Sequence, residues 1–171
     1  YWYSGEMALA HVTANFDQDS YAFYSDGTES GSVIIGVKNV AQTLDVDTIY
    51  LARFLIQEDA GGTANNINYT LEYDLNNSGT FTAVTATSSV VQSVATANIT
   101  DAANTTQRLG AGTFIGTNEG FDEVDGIAGS VTYVGNDEVE VLYSIQIMSA
   151  DVVNADTIQL RINGLDTYTN T

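Results

Sequence analysis

Ile67-Asn68-Tyr69-Thr70-Leu71-Glu72-Tyr73-Asp74 alternates a large apolar side chain with a polar one along its whole length. A period of two places Ile67, Tyr69, Leu71 and Tyr73 on one face of a pleated strand and Asn68, Thr70, Glu72 and Asp74 on the other. A helix would scatter the same residues around its axis. Asn76-Asn77-Ser78-Gly79 comes next, a turn sequence, and Thr80 to Thr85 returns as the second strand of a hairpin.

The same alternation recurs on both sides. Upstream, Thr48 to Gln57 is the most hydrophobic stretch. Ile49, Leu51 and Leu55 share one face, and Tyr50, Ala52, Phe54 and Ile56 share the other. Arg53 is its one charged residue, so a central strand covered on both sides is expected. Downstream, Gly129 to Val134 and the long alternating face Val139, Val141, Tyr143, Ile145 and Ile147 read as strands. Ile158, Leu160 and Ile162 alternate again, Asn163-Gly164 signals a hairpin, and Leu165 to Tyr168 closes it. Nearer the start, Met7 to Phe16, Tyr21 to Tyr24 and Val33 to Val37 read as strands, with Asp17-Gln18-Asp19-Ser20 ending the first. Residues 86 to 128 are less regular and too long for a plain connection. They are expected either to pack as an ordered excursion or to carry a recognition surface. No convincing amphipathic helix interrupts these strands. The expectation is an all-β chain: an immunoglobulin-like antiparallel β-sandwich over residues 21–171, with an extended N-terminal arm or strand over residues 1–20.

Composition narrows the function classes. The 171 residues carry 22 Asp and Glu against 4 Lys and Arg, a formal net charge of −18. That surface repels phosphates, so nucleic-acid partners are not expected. No apolar run is long enough to span a bilayer as a helix, so membrane insertion is not expected either. Cys is absent, which removes disulfides and thiolate chemistry. Pro is absent too, leaving the turns to Gly, Asn and Asp.

The inventory of reactive groups is poor. His11 is the single His and lies in a strand-like segment, with no nucleophile-elbow pattern near any Ser. Asp122, Glu123 and Asp125 fall in one Gly-flanked loop, where adjacent carboxylates do not flank a cleft as glycoside hydrolysis requires. An enzyme is therefore not expected. Glu119, Asp122, Glu123 and Asp125 are weak candidates for Ca²⁺, because hard oxygen ligands cluster there without the alternating spacing of a calcium loop. No other cofactor is expected. Asn68, Asn76, Asn98 and Asn104 head glycosylation sequons, which arise easily in so Asn- and Thr-rich a chain.

Three groups of segments carry a family resemblance. They are Tyr21-Ala22-Phe23-Tyr24-Ser25-Asp26-Gly27-Thr28-Glu29-Ser30-Gly31-Ser32; Tyr69-Thr70-Leu71-Glu72-Tyr73 with Phe81 to Thr85 and Ser89 to Ala95; and Thr105-Thr106-Gln107-Arg108-Leu109-Gly110-Ala111-Gly112-Thr113-Phe114 continuing to Ile145-Gln146-Ile147, Asp156 to Ile162 and Leu165-Asp166-Thr167-Tyr168. Together, over residues 21 to 168, they resemble a β-sandwich module common in structural proteins encoded by tailed bacteriophages and prophages. The first twenty residues and Asn118 to Gly126 fall outside the resemblance. It implies a virion structural protein, capsid-decorating or tail-associated, located in the virion. Its partners would be other virion proteins, such as major capsid or tail subunits, and copies of itself.

The resulting expectation is a non-enzymatic capsid decoration or cement protein. Tyr1, Trp2, Tyr3 and Phe16 are its expected interface residues, since aromatic side chains dominate the energetics of interfaces. Two other readings stay open. One is a tail-fibre or surface module binding a receptor or glycan through residues 59 to 66 and 110 to 128. The other is a subunit of a cell-surface filament or layer, extracellular, joined by an exchanged N-terminal strand.

Overall fold

The computed structural model describes residues 12–171. Among them there is no helix, and the all-β expectation holds. The larger sheet is built on β1 (Phe16–Ser25), β3 (Ile49–Glu58) and β10 (Asp137–Ile147). They are joined antiparallel with β3 in the middle. Short strands border them: β2 (Ile34–Ile35), β6 (Val91–Ser93), β7 (Thr113–Phe114), β8 (Phe121–Asp122) and β12 (Thr167–Tyr168). The smaller layer is organised by β4 (Thr63–Leu75), whose first half pairs with β9 (Ile127–Val134). Its second half pairs with β11 (Ile158–Ile162) and β5 (Thr82–Ala83).

The period-two pattern of β3 explains the layering. Tyr50, Ala52, Phe54 and Ile56 face the smaller layer and join Tyr69, Leu71, Tyr73, Val131, Tyr133 and Ile162 in one core. Leu51 and Leu55 face the opposite way, into a second core with Ala22, Tyr24, Ile99, Leu109, Phe121 and Leu142. The irregular stretch after β6 thus packs as an ordered excursion over the outer face of the large sheet. Without it, that face would expose β3 and β10 to water. Fully burying side chains of this size contributes roughly 1.5–3 kcal/mol each, so a doubly covered strand is strongly held.

Three sequence expectations change. Asp17 to Ser20 does not end a strand; Phe16 to Ser25 is continuous, with a register shift against β3 between Gln18 and Ser20. An extra residue in one strand flips the side-chain parity. Tyr21 and Phe23 therefore reach the inner core with Phe16, although the alternation is broken between them. The sandwich accordingly begins at Phe16 and not after residue 20. The expected strand Val33 to Val37 shrinks to Ile34–Ile35, and Val33 and Val37 lie 67% and 64% exposed. Asn163-Gly164 does turn the chain, with Gly164 at a φ of 77°, but the segment beyond it is no hairpin partner of β11. Thr167 and Tyr168 cross to the other sheet and pair parallel with Asp17 and Gln18.

Candidate functional site

The charge in the middle of β3 organises the outer face. Arg53 has no exposed surface. Its Nη1 donates to Glu140 Oε2 at 2.9 Å and to the Thr106 carbonyl at 2.8 Å. Its Nη2 donates to Glu29 Oε1 at 2.6 Å. Alternation alone forces this placement, because Arg53 lies between Leu51 and Leu55 on the face that the excursion covers. Glu140 is equally buried, and its Oε1 accepts the amides of Arg108, Leu109 and Gly110 at 2.7, 2.5 and 3.0 Å. Arg108 lies 4.3 Å from the Tyr24 ring centroid and donates to the Ser32 side chain and carbonyl. Burial pushes the Glu29 carboxyl up, but hydrogen bonds from Arg53 and Thr106 outweigh it and leave it below its usual range. Nε of Arg53 is buried without a partner among the described residues. A buried pair of this kind is costly to break from one side, since the remaining charge is left unpaired.

Other buried carboxylates tie loops in the same way. Glu58, wholly buried, accepts amide hydrogens from Asn15, Ala60, Gly61, Gly62 and Asn136 at 2.7 to 3.2 Å. Burial pushes this carboxyl up, yet the amides of Asn136, Asn15, Gly62 and Ala60 bring it down to about 2. Gly62 is required there, because a Cβ would strike the backbone of Ala14. Glu138 receives the Gly112 amide at 2.9 Å and the Gln107 side chain. Asp74 holds Ser78 and Gly79 in the β4–β5 turn.

The four calcium candidates are not brought together. Asp122 is buried, and its oxygens accept the amides of Val124, Asp125 and Gly126 and the Ser93 hydroxyl. Burial holds its carboxyl above the usual range, with those hydrogen bonds opposing. Glu123 accepts the Thr96 amide at 2.6 Å, and Asp125 caps Ile127. Glu119 is exposed. Among the described residues no group of three or more Asp, Glu or His converges on a point that would hold a metal ion. The loop is built by its own amides, and Gly126 is demanded by a φ of 75° and by the Val84 carbonyl beside it.

Each of the four basic side chains has a partner within the chain, Lys38 from an exposed position. Lys38 donates to the Leu109 carbonyl at 3.1 Å. Arg161 pairs with Glu72 at 3.0 Å and lies 3.5 Å from the Phe81 ring centroid. With Arg53 and Arg108 engaged as described, acidic side chains dominate the exterior, where Lys38 is the exposed basic residue among the described residues.

One concave feature stands out. Between the layers, at the Ile49 end of β3, a groove of about 890 Å³ opens. Its large-sheet wall carries Tyr21, Phe23, Phe54, Val91, Ile145 and Ile147. Its other wall is β11, at Ile158 and Leu160, and residues 41–46 and 152–157 form the rim. Phe16 is elsewhere, half-buried at the Glu58 end with its ring 4.9 Å from that of Tyr133. Tyr1, Trp2 and Tyr3 lie outside the described residues. Loop 59 to 66 is pinned by Glu58; of 110 to 128, residues up to 126 belong to the packed excursion and Ile127 and Ala128 open β9. In the sequence Arg53 stands out as the one charge in an apolar strand, but its partners do not. The groove has no sequence signal, because it exists only where two distant strands diverge.

No family model matches the chain, and no curated protein and no solved structure is found similar to it.

Proposed function

We propose that the chain is a non-catalytic structural subunit of a phage virion, an immunoglobulin-like sandwich module that decorates or cements a capsid by gripping neighbouring subunits. The observation that carries this reading is where the charged groups go. Arg53, Glu58, Glu138, Glu140 and Asp122 are all buried, and each is engaged in fastening a loop to a sheet. Groups held this way rigidify a surface and are not poised to exchange protons with a substrate. A predominantly acidic exterior interrupted by one largely apolar groove suits a subunit that stays dispersed until it meets its partner. The segments that resemble phage structural modules point the same way. Quantitative mass spectrometry of purified particles from the source tests it. The chain is expected at a fixed high copy number per capsid, surviving salt washes. Its absence from the particles, or its recovery from a cell-surface filament, would sink the virion reading.

A further inference from the structure

We infer that the groove between the layers is an acceptor slot for residues 1–11 of a second copy of this chain, which add a strand to the edge of β11 and join the copies head to tail. The inference rests on reading the protein as an assembly subunit and names the contact by which it assembles.

The edge is identified by register. The Asn76 amide donates to the Thr157 carbonyl, and the Asn163 amide donates to the Thr70 carbonyl, both at 2.8 Å. In an antiparallel ladder hydrogen-bonded pairs alternate with pairs whose main-chain groups face outward. Ile158, Leu160 and Ile162, opposite Leu75, Tyr73 and Leu71, are therefore the outward-facing residues. Ile162 is already satisfied: its amide donates to Gln18 Oε1 at 2.9 Å and its carbonyl accepts from Tyr168. The outward main-chain groups of Ile158 and Leu160 have no such partner among the described residues. Both residues line the groove together with Thr171, whose hydroxyl accepts only from the Gln159 side chain at 2.8 Å, so an added strand would run beside Thr171. An open ladder edge beside an apolar trough is the geometry that strand addition uses: main-chain bonds hold the donor and alternate side chains fill the trough.

Position, pattern and charge select the occupant. Phe16 pairs with Glu58 at one end of β3, whereas the groove opens at the other, near Ile49 and its partner Gln146. The chain leading into β1 passes Glu58 and Gly62, through Asn15 and Ala14, so it leaves from the end away from the groove. To reach its own groove the segment would double back along Phe16 to Phe23, about 23 Å at 3.3 Å per residue. Eleven residues reach at most about 37 Å, so only about four would remain to be placed. A neighbour stacked end to end presents its whole segment. Residues 1–11 contain Tyr1, Trp2, Tyr3, Met7 and Leu9, with Glu6 as their one acidic residue. The remaining 21 of the 22 acidic residues lie beyond them. In a chain of net charge −18, this segment meets another copy with little repulsion. Arm and groove are different surfaces, so the contact is heterologous and propagates as a ring or filament.

Trp2 is the single Trp, so its fluorescence reports the arm alone. The test uses three full-length proteins: wild type, a donor-only variant with a blocked groove (Ile158→Asp), and an acceptor-only variant with a disabled arm (Trp2→Ala/Leu9→Asp). Val153→Glu, at a rim residue 72% exposed, is a second blocked-groove variant that leaves the core untouched. The wild type is expected to grow in mass with concentration while Trp2 emission shifts to the blue. Each variant alone is expected to stay monomeric, and a donor–acceptor mixture to stop at a heterodimer with the shift restored. Blocking the groove should weaken association at least tenfold. Concentration-independent Trp2 emission, whether blue or red, would overturn the inference. So would association that survives both blocked-groove variants, or saturable binding of a small apolar dye in the groove that the wild-type arm does not displace. Absence from virions with head-to-tail association intact would remove only the virion reading. Presence in virions without it would remove only the strand exchange.

Discussion

The two ends of the sandwich are finished by different means. At the Glu58 end, one buried carboxylate gathers amides from the N-terminal lead-in, the β3–β4 loop and the β9–β10 turn. Phe16 closes the remaining space against Tyr133. At the Ile49 end the buried Asp74 ties only its own β4–β5 turn. No carboxylate among the described residues gathers amides from several segments there, and the layers part around a groove walled by Tyr21, Phe23, Ile145 and Ile158. The difference teaches where the fold is self-sufficient. A charged acceptor with several amides satisfies loop ends that would otherwise need water or another chain. An apolar trough beside an unpaired strand edge asks for something else to complete it.

The comparison is most easily broken by removing its strongest member. Glu58→Ala leaves five amides without their acceptor, and is expected to cost on the order of 4 kcal/mol of unfolding free energy, read by urea denaturation. A loss under about 1 kcal/mol would mean that the end is held by packing alone. At the other end, Phe23→Ala is expected to cost about 2 kcal/mol, less than for a fully buried ring because Phe23 already lines an opening. A loss as large as that for Glu58→Ala would show the groove end to be as closed as its opposite.

The comparison can also be sharpened in acid. The Glu58 carboxyl is depressed from 4.5 to about 2. Its folded form is favoured in the ionised state, so its contribution is complete above pH 4.5 and is lost as pH falls from there towards 2. Glu58→Gln should therefore flatten the slope of stability against pH within that window and leave the slope above it unchanged. An identical acid profile for wild type and variant would show that other carboxylates set it.

Much of the fold was legible because it is local. Ile67 to Asp74 and Thr48 to Gln57 declared strand and layer by alternation, and the second also marked itself as doubly covered. Legibility failed where long-range contacts override the local pattern. The shift between Gln18 and Ser20 hid the continuity of β1, because parity resumed on the opposite phase. Asn163-Gly164 announced a turn truthfully, but the partner of Thr167 is Asp17, far away in the chain. The acidic run from Glu119 to Asp125 resembled a ligand cluster in one dimension. Its Asp122 instead turns inward to hold its own loop.

Sequence by itself determined the central alternating strands, the all-β class, the acidity and the poverty of reactive groups, since each comes from the chain's composition or from neighbours two residues apart. Tertiary structure alone decided which charges are buried together, which end is sealed and where the groove opens. Glu58 meets Asn136 and Arg53 meets Glu140 across separations of 78 and 87 residues. Nothing in local periodicity encodes such meetings; they arise from the order in which strands pair and the direction in which each pleat faces.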